Sequence, residues 1–242
     1  MTLRPPSNLI CTSEKHFQKG AQWVDYFTTD CGLRPDERVL DVGSGGGRVA
    51  APLSGYLTDG TYEGFDTSLP DVEWCRQNIS TRAPSFSFRH VDIYNQTYNR
   101  GGTIDPEEFR FPYGDAEFDF IWLTSVFTHM RPRHVEHYFG EIERVLRPDG
   151  RWLATWFILD ADALASIDEG SSFYPFKHNL GEYRVVDPKR HEDAIAYPEP
   201  FVLDLYQRFH FEISVDLGQW APRRPPSATN QDGQDIVLAR PG

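Results

Sequence analysis

A glycine-rich turn between two regular elements is the feature that most restricts how this chain can fold. The segment VLDVGSGGGRVA, at residues 39–50, has the pattern of a buried strand, a turn with four glycines and the start of a helix. Glycine lacks the Cβ that would keep a ligand away from the backbone, so the N–H groups of such a turn can approach a ligand closely. The segment therefore predicts an α/β fold with a nucleotide-like ligand at the turn.

Strand-like and helix-like segments alternate along most of the chain. This alternation predicts a doubly wound α/β fold with a mostly parallel sheet and crossover helices. The last two strands are expected to pair antiparallel, which gives a sheet of seven strands with an antiparallel last strand. The predicted strands lie at residues 39–42, 61–66, 86–92, 118–123, 152–157, 209–217 and 234–240. The predicted helices include residues 14–30, 72–81, 132–146 and 200–208.

The chain is expected to form a single domain over residues 1–242, with a loose arm at residues 1–12. Two stretches, residues 94–113 and 159–200, interrupt the alternation. Connections this long in a compact domain are usually functional lids or disordered segments. Because both stretches are rich in aromatic residues, we expect them to be ordered over a substrate and to form the acceptor site, the second as a lid-like insertion.

Charge and hydropathy restrict the partners and the compartment. The formal net charge is −12, which disfavours nucleic acid, because Lys and Arg that neutralise phosphates supply most non-specific affinity for it. No apolar run approaches the ~20 residues of a membrane span, and the first residues lack the apolar core of a signal peptide. We therefore expect a cytoplasmic protein without a membrane partner. The sequence leaves the oligomeric state open, and a homodimer is one of the options.

The cysteines point to a reducing compartment. Cys11, Cys31 and Cys75 are odd in number, widely spaced and without any C-x-x-C or Cys/His ligand pattern. Neither a disulfide framework nor a zinc site is expected from them.

Carboxylates stand at the ends of three predicted strands. Asp41 precedes the glycine turn, Asp66 ends the second strand and Asp92 ends the third. A buried carboxylate is costly unless it is paired or acts on a ligand. Asp41 thus favours a ligand with an α-ammonium or sulfonium, with capping of the next loop as the alternative. Asp66 lies about 20 residues beyond the turn, where an acid accepts hydrogen bonds from ribose hydroxyls.

Five blocks in a fixed order carry a resemblance to a known family. On these blocks the chain resembles the class I S-adenosylmethionine-dependent methyltransferases, over roughly residues 14–158. A narrower likeness, carried by SVFTHM and the final QDIV strand, is to a subgroup of small-molecule or sugar O-methyltransferases. The blocks are VLDVGSGGGR (39–48), GFDTS (64–68), HVDIYN (90–95), FDFIWLTSVFTHM (118–130) and EIERVLRPDGRWL (141–153).

The resemblance implies S-adenosylmethionine as cofactor and a role for each matching residue. The glycines of the turn would hold the methionine part, and Asp66 would hold the ribose. Asp92, with Ile93 beside it, would bind the adenine, and Asp41 would lie below the amino-acid moiety. The residues expected at the cofactor are Asp41, Gly43, Ser44, Gly45, Gly47, Asp66, Thr67, Asp92, Ile93 and Thr124.

His129 is the candidate catalytic residue. Methyl transfer from a sulfonium is an in-line displacement, so an enzyme gains by aligning the acceptor and by removing the proton of an acceptor hydroxyl. His129 follows the fourth strand in TSVFTHM, where the acceptor is expected, and suits a general base. The alternative is a histidine that caps the helix beginning at Pro132 or fills the pocket wall.

Two other sets of residues have competing interpretations. His134, His137 and Glu141 share a face of one predicted helix, so a metal face is conceivable, but we expect a solvated face and assign no metal. The aromatic residues of the second insertion either line an acceptor pocket or form the core of a lid. They are Phe157, Phe173, Tyr174, Phe176, Tyr183 and Tyr197.

The sequence favours a methyltransferase that acts on a hydroxyl oxygen of a small-molecule or glycosyl acceptor. N- or C-methylation stays open, because the cofactor site does not report the acceptor. A nicotinamide-dependent oxidoreductase is a second alternative: G-x-G-x-x-G fails at Arg48 when it starts from Gly43, but a shorter form fits Gly45 to Ala50. A third is a protein that binds S-adenosylmethionine without transferring its methyl group.

Overall fold

The computed structural model describes residues 14–222, 230 and 233–242. The expected arm at residues 1–12, and Cys11, lie outside the described residues. Over the described part of the chain, no helix combines the length and the apolar character needed to cross a bilayer. The strands are β1 (Arg38–Val42), β2 (Thr61–Asp66), β3 (Phe86–His90), β4 (Phe118–Leu123), β5 (Leu146–Trp156), β6 (Ile158–Leu159), β7 (His178–Asn179), β8 (Arg184–Val185), β9 (Ile195–Pro198), β10 (Phe211–Asp216) and β11 (Asp235–Pro241).

Helices lie between many of these strands, as the alternation in the sequence predicted. They are α1 (Glu14–Thr29), α2 (Ala50–Leu53), α3 (Leu69–Cys75), α4 (Pro132–Val145), α5 (Ala161–Glu169) and α6 (Glu199–Arg208). A π-type turn at Arg76–Ser80 extends α3, and short 3-10 turns lie at Phe127–His129 and His191–Asp193. The α3 helix begins three residues before the predicted start, because Ser68 occupies its N-cap and Pro70 suits its first turn.

Seven strands form the main sheet of the described residues, in the order β10-β11-β5-β4-β1-β2-β3. The neighbours from β5 to β3 pair in parallel, whereas β11 is antiparallel to both β10 and β5. The predicted mostly parallel seven-stranded sheet with an antiparallel last strand is confirmed. Among the predicted strands, that at 152–157 begins earlier, because Leu146 already pairs with Phe118 of β4.

Both faces of the sheet are covered, so the strands are buried on two sides as parallel sheets require. One face packs against the helices α1, α2 and α3, with Phe27, Leu53 and Val72 in its core. The other packs against α4 and α6, with Phe139 and Leu205 in its core. The result is a three-layer arrangement in which the strand ends are left to form a site.

No helix connects β3 to β4; residues 91–117, all of them described, are irregular. Instead, Phe109 and Phe111 pack edge-on against Phe65 of β2, with ring centroids 5.5 and 5.0 Å away. The Arg144 guanidinium of α4 donates to the carbonyl oxygens of Phe111 and Tyr113 at 3.0 and 2.9 Å. The second half of this predicted insertion therefore covers the sheet, and only its first half is left to face the strand ends.

The second insertion is ordered around a core of its own. The strands β6, β9, β8 and β7 form a small sheet in that order. Phe157, Phe176 and Trp220 are buried together beside α5. Val185 and Tyr197, from the same insertion, belong instead to the core of the main sheet. The insertion is thus packed onto the sheet rather than projecting from it.

Candidate functional site

A cavity of about 240 Å³ opens at the carboxyl edge of the main sheet. Its wall consists of the glycine turn after β1, the end of β2 with the first turn of α3, the end of β3, parts of the segment 94–106, and residues around the start of α4. The strand register explains this meeting point, because Val42 pairs with Phe65 and Asp66 pairs with His90, so these strands end together. Ligands of open α/β sheets bind at this edge.

The structure brings only part of the predicted set to the cavity. The predicted residues that line it are Gly43, Gly45, Asp66, Thr67, Ile93 and His129. Those that lie outside its lining are Asp41, Ser44, Gly47, Asp92 and Thr124.

The glycine turn approaches the cavity at Gly45. Gly43, Gly45 and Gly47 all have positive φ angles, of 80°, 49° and 74°. A Cβ on Gly43 would lie 2.6 Å from Val126 Cγ2, and one on Gly47 would lie 2.5 Å from Ile79 Cδ1, so these two glycines are needed for packing. A Cβ on Gly45 would meet nothing within 4 Å. It would point into the space where a ligand can approach the backbone.

Asp66 joins the end of β2 to the glycine turn. Its Oδ2 accepts a hydrogen bond from the Gly45 backbone N–H at 2.7 Å, and its Oδ1 accepts one from the Ser68 N–H at 2.8 Å. Burial raises the pKa of this carboxyl above its ordinary value, and the two backbone bonds oppose that rise. A carboxylate oxygen can accept more than one hydrogen bond, so Asp66 can still bind two hydroxyls of a ligand.

Asp41 lies one layer behind the turn. Its side chain is 2% exposed, and its Oδ2 accepts a hydrogen bond from the Tyr62 hydroxyl at 2.8 Å. Burial raises the pKa of Asp41 to about 7. Because it does not line the cavity, any influence on a ligand would pass through the turn above it, as the predicted place below the amino-acid moiety requires.

Asp92 has chain partners for both carboxylate oxygens. Oδ1 accepts from the Asn99 side chain at 3.1 Å, and Oδ2 accepts from the Thr103 hydroxyl at 2.8 Å. These hydrogen bonds, that of Thr103 first, lower its pKa. The carboxylate thus holds the loop after β3, while the neighbouring Ile93 lines the cavity. Adenine binding by Asp92 stays a prediction, and its present contacts favour the loop role.

His129 lies at the cavity wall in the 3-10 turn after β4. Its Nδ1 is 2.9 Å from the backbone carbonyl oxygen of Glu192. A carbonyl only accepts, so Nδ1 carries the proton and Nε2 keeps a lone pair in the neutral ring. Nε2 lies 3.3 Å from the hydroxyl of Tyr98, which is 51% exposed. Burial lowers the pKa of His129, so the ring is neutral at pH 7.

The two insertions meet behind His129. Glu192, only 1% exposed, accepts from the Gln96 backbone N–H at 2.6 Å and from Arg131 Nε at 3.1 Å. The Thr97 hydroxyl donates to Asp193 at 2.7 Å. Within the described residues, 159–200 supplies no lining of the cavity. Its contribution is to hold His129 and the segment 94–100 from behind.

Ser125 is a wall residue that the sequence analysis missed. Its φ of 59° is rare for a residue other than glycine. The conformation is held by the Thr155 hydroxyl, which accepts from the Ser125 N–H at 2.7 Å, and by Gln234, which accepts from the Ser125 hydroxyl at 3.2 Å. No local pattern signals such a backbone angle, because its cause lies on β5 and beside β11.

Asp71 is another residue of the cavity wall that the sequence analysis missed. It stands in the first turn of α3 and is 4% exposed, although it is a carboxylate. A signal for it existed in the sequence: Asp71 lies four residues before Cys75, on the buried face of the same helix. An acid on an apolar helix face is a reason to look for a ligand or a partner.

The residues with two interpretations are placed as follows. His137 contacts the Phe109 carbonyl oxygen at 2.9 Å, and Glu141 accepts from the Phe111 N–H at 2.6 Å, so this helix face holds the segment before β4. His134 lies instead near Asp105 and Glu107, with their possible ligand atoms within 4.8 Å of one another.

None of the six aromatic residues of the second insertion lines the cavity within the described chain. Phe157 and Phe176 belong to the buried cluster beside α5, and Phe173 is 79% exposed.

The site fits S-adenosylmethionine on its own geometry. Gly45 leaves open the space that a Cβ would fill, and Asp66 presents a carboxylate suited to a ribose diol. Asp71, which also lines the cavity, is a buried acid whose Oδ1 has no partner in the described chain. A ligand with hydroxyl donors and a positive charge meets these needs, and the cofactor supplies an electrophilic methyl group on a sulfonium.

Comparison with known proteins agrees with this geometry. Residues 40–154 match the family model described as "Methyltransferase domain". The chain is 27% identical over 190 residues to 27-O-demethylrifamycin SV methyltransferase of Amycolatopsis mediterranei, covering 73% of this chain and 64% of that protein. It is 31% identical over 119 residues to a fatty-acid O-methyltransferase of Mycolicibacterium smegmatis, covering 49% and 36%. It is 28% identical over 224 residues to glycine/sarcosine/dimethylglycine N-methyltransferase of Actinopolyspora halophila, covering 90% and 32%. The chain thus spans less than two thirds of the length of these relatives.

Solved structures share the fold. The PH0226 protein of Pyrococcus horikoshii superposes with a TM-score of 0.64 at 14% identity, covering 98% of this chain and 96% of that one. The 1,6-didemethyltoxoflavin-N1-methyltransferase of Burkholderia thailandensis, with bound S-adenosylhomocysteine, superposes with a TM-score of 0.57 at 18% identity, covering 95% and 79%.

The fold is Rossmann-like, and the cavity lies within the segment that matches the methyltransferase model. Over residues 40–154 the chain is a methyltransferase domain, and S-adenosylmethionine is the cofactor that this domain and a neighbour with bound S-adenosylhomocysteine support. The match to a methyltransferase domain argues against the alternative of a nicotinamide-dependent oxidoreductase.

Proposed function

We propose that the protein transfers the methyl group of S-adenosylmethionine to a hydroxyl oxygen of a small-molecule or glycosyl acceptor, with His129 as general base. The observation that carries this proposal is the hydrogen bond from His129 Nδ1 to the Glu192 carbonyl. It leaves Nε2 as the basic nitrogen at the cavity wall. A base in hydrogen-bond reach of the acceptor proton is what transfer to a hydroxyl requires.

In this mechanism the chain's own residues bind, orient and take a proton. Asp66 and the Gly45 turn hold the cofactor at the end of β2 and β1. The acceptor hydroxyl takes the place of the Tyr98 hydroxyl beside His129 Nε2, a contact of 3.3 Å that is long enough to exchange readily. As the acceptor oxygen is methylated, its proton passes to Nε2, and the Glu192 carbonyl stabilises the resulting imidazolium through Nδ1.

The composition of the wall supports a neutral acceptor. Among the described residues, no Lys or Arg lines the cavity. Tyr94, Tyr98, Met130 and Tyr138 give the wall beyond the glycine turn an aromatic and apolar character. An acceptor carboxylate or phosphate would lack a cationic partner there, whereas a phenol, an alcohol on an apolar scaffold or a glycoside would not.

Transfer to nitrogen is the second candidate, because the chain is also similar to an N-methyltransferase that acts on glycine and its methylated forms. An amine acceptor would also lose a proton, so His129 does not separate the two reactions. A 27-O-demethylrifamycin SV methyltransferase and a fatty-acid O-methyltransferase are among the similar proteins, which supports oxygen as the first choice.

A panel assay tests the proposal. The purified chain is incubated with S-adenosylmethionine and with phenols, glycosides, alcohols, carboxylic acids and amines, and S-adenosylhomocysteine release is measured. We expect turnover with neutral hydroxyl acceptors and a product whose new methyl group lies on oxygen by NMR. Turnover confined to amines would replace the proposal with N-methylation. Cofactor binding without turnover on any member would favour the alternative of a protein that binds the cofactor without transfer.

A further inference from the structure

Asp71 is a buried acid in the wall of the cavity. The residue is 4% exposed and lines the cavity together with Asp66, Thr67 and Ser68. Its Oδ1 is fully buried and has no hydrogen-bond partner among the described residues. The other buried acids of the core contrast with it: Glu37, 1% exposed, is bound by Arg151 at 2.7 Å.

A carboxylate oxygen without a partner is expensive to bury. Leaving a buried acceptor unsatisfied costs about 1–3 kcal/mol, and more when the group is charged. Asp71 also raises the pKa of Asp66 by repulsion, although burial of Asp66 is the larger cause. Since neither effect helps the empty protein, a ligand that donates a hydrogen bond to Asp71 is the natural explanation for an acid in this place.

The position of Asp71 indicates which part of a ligand it contacts. Asp66 Oδ1 is bound by the Ser68 N–H, and Ser68 is the N-cap of the helix that carries Asp71. Both acids therefore belong to the same wall, at the end of β2. The donors that a nucleoside cofactor offers to an acid at the end of this strand are its ribose hydroxyls.

We propose that Asp71 is a second acid of the cofactor site and that its carboxylate accepts a hydrogen bond from a ribose hydroxyl beside the one held by Asp66. The proposal rests on S-adenosylmethionine as the cofactor, and it makes the cavity selective for ligands with an intact ribose. It also predicts that removing the side chain leaves the empty protein at least as stable while ligand affinity falls.

The test measures thermal unfolding of the empty protein and ligand binding by calorimetry for Asp71→Ala. The ligands are S-adenosylhomocysteine, 5′-methylthioadenosine, which has the ribose but no amino acid, and its 2′,3′-dideoxy form. We expect an unfolding midpoint equal to or above that of the unmodified protein. Affinity for the first two ligands should fall by about 10-fold or more, and affinity for the dideoxy form should stay the same. Asp71→Asn keeps an oxygen that can accept a hydrogen bond but loses the charge, so its affinity for the first two ligands should fall less than that of Asp71→Ala.

Glu37→Ala is the matched control, a buried acid with an arginine partner and no place in the cavity wall. It should lower the unfolding midpoint and leave ligand affinity unchanged. If Asp71→Ala behaves like this control, the carboxylate is structural and the proposal is overturned. If only S-adenosylhomocysteine loses affinity, Asp71 acts on the amino-acid moiety, and the ribose assignment is wrong. Absence of binding to the unmodified protein would instead refute the cofactor, and the proposal with it.

Discussion

The imidazole of His129 is held by the backbone of Glu192, 63 residues further along the chain, through a 2.9 Å contact between Nδ1 and the carbonyl oxygen. The side chain of the same glutamate accepts from Gln96 and Arg131. One residue thereby sets the proton position on the histidine and joins three segments around it.

The first prediction concerns the pH dependence of turnover. A general base acts in its neutral form, and burial lowers the pKa of His129. The rate should therefore rise with pH below the ordinary imidazole value of about 6.5 and be level at neutral pH. His129→Gln should reduce the rate by roughly 10²–10⁴-fold and abolish the rise, with cofactor affinity unchanged. His178→Gln, at an exposed histidine of β7, is the control. A variant with near-normal turnover would return His129 to the role of a wall residue.

The second prediction separates positioning from stability at Glu192. Gln96 and Arg131 both donate to this carboxylate, so Glu192→Gln can satisfy only one of them. We expect an acceptor KM raised about 10-fold and a rise in rate that begins at lower pH, because both Glu192 and Asp193 favour the charged imidazole. Other groups around the His129 imidazole are Arg131, which pairs with Glu192, and Tyr98, whose hydroxyl lies beside Nε2. Arg190 pairs with Asp193.

Glu37→Gln provides the comparison for Glu192, because Glu37 is an equally buried glutamate whose ion pair with Arg151 lies outside the cavity wall. Glu37→Gln should lose about 3–5 kcal/mol of stability, because Arg151 stays buried without its partner, and Glu192→Gln should lose less, because Arg131 is half exposed. Steady-state kinetics over a range of pH distinguishes them. An unchanged pH profile and KM in Glu192→Gln would show that the glutamate contributes only to folding.

The third prediction tests the close approach at Gly45. Gly45 and Gly170 both have positive φ, and an added Cβ would meet nothing within 4 Å at either position. Alanine should therefore cost about 1–2 kcal/mol of stability at each site. Only Gly45→Ala should weaken S-adenosylhomocysteine binding, by more than about 10-fold, because its methyl group occupies ligand space. Calorimetry on both variants checks this, and equal affinities would place the ligand away from the turn.

The fourth prediction uses the pKa of Asp41, which burial raises to about 7. A carboxyl whose folded pKa lies above its unfolded value stabilises the protein fully below the unfolded pKa, and this contribution is lost as pH rises through the folded pKa. The free energy of unfolding should thus fall by on the order of 2–4 kcal/mol between about pH 4 and pH 7 through this group. Asp41→Asn, which still accepts from Tyr62, should lack that part of the decline in denaturant titrations. Parallel curves for the two proteins would mean that Asp41 is ionised when folded.

Much of the fold was readable from local patterns. The alternation of strands and helices predicted the parallel sheet, and the turn at 43–47 with Asp66 predicted the edge where the site lies. This succeeded because side-chain periodicity and the absence of Cβ atoms act over a few residues, and because parallel strands joined by helices end at one edge. The family resemblance added the cofactor, which no local pattern specifies.

The tertiary structure alone decided which side chains face the cavity. Asp92 turns to Asn99 and Thr103 rather than to the cavity, Asp71 is buried beside Asp66, and Glu192 reaches His129 from a distant insertion. The sequence determined that acids would gather at the ends of the strands. It did not determine which of them would find partners in the chain, because hydrogen bonds between residues far apart in sequence form only after the sheet and both insertions have packed.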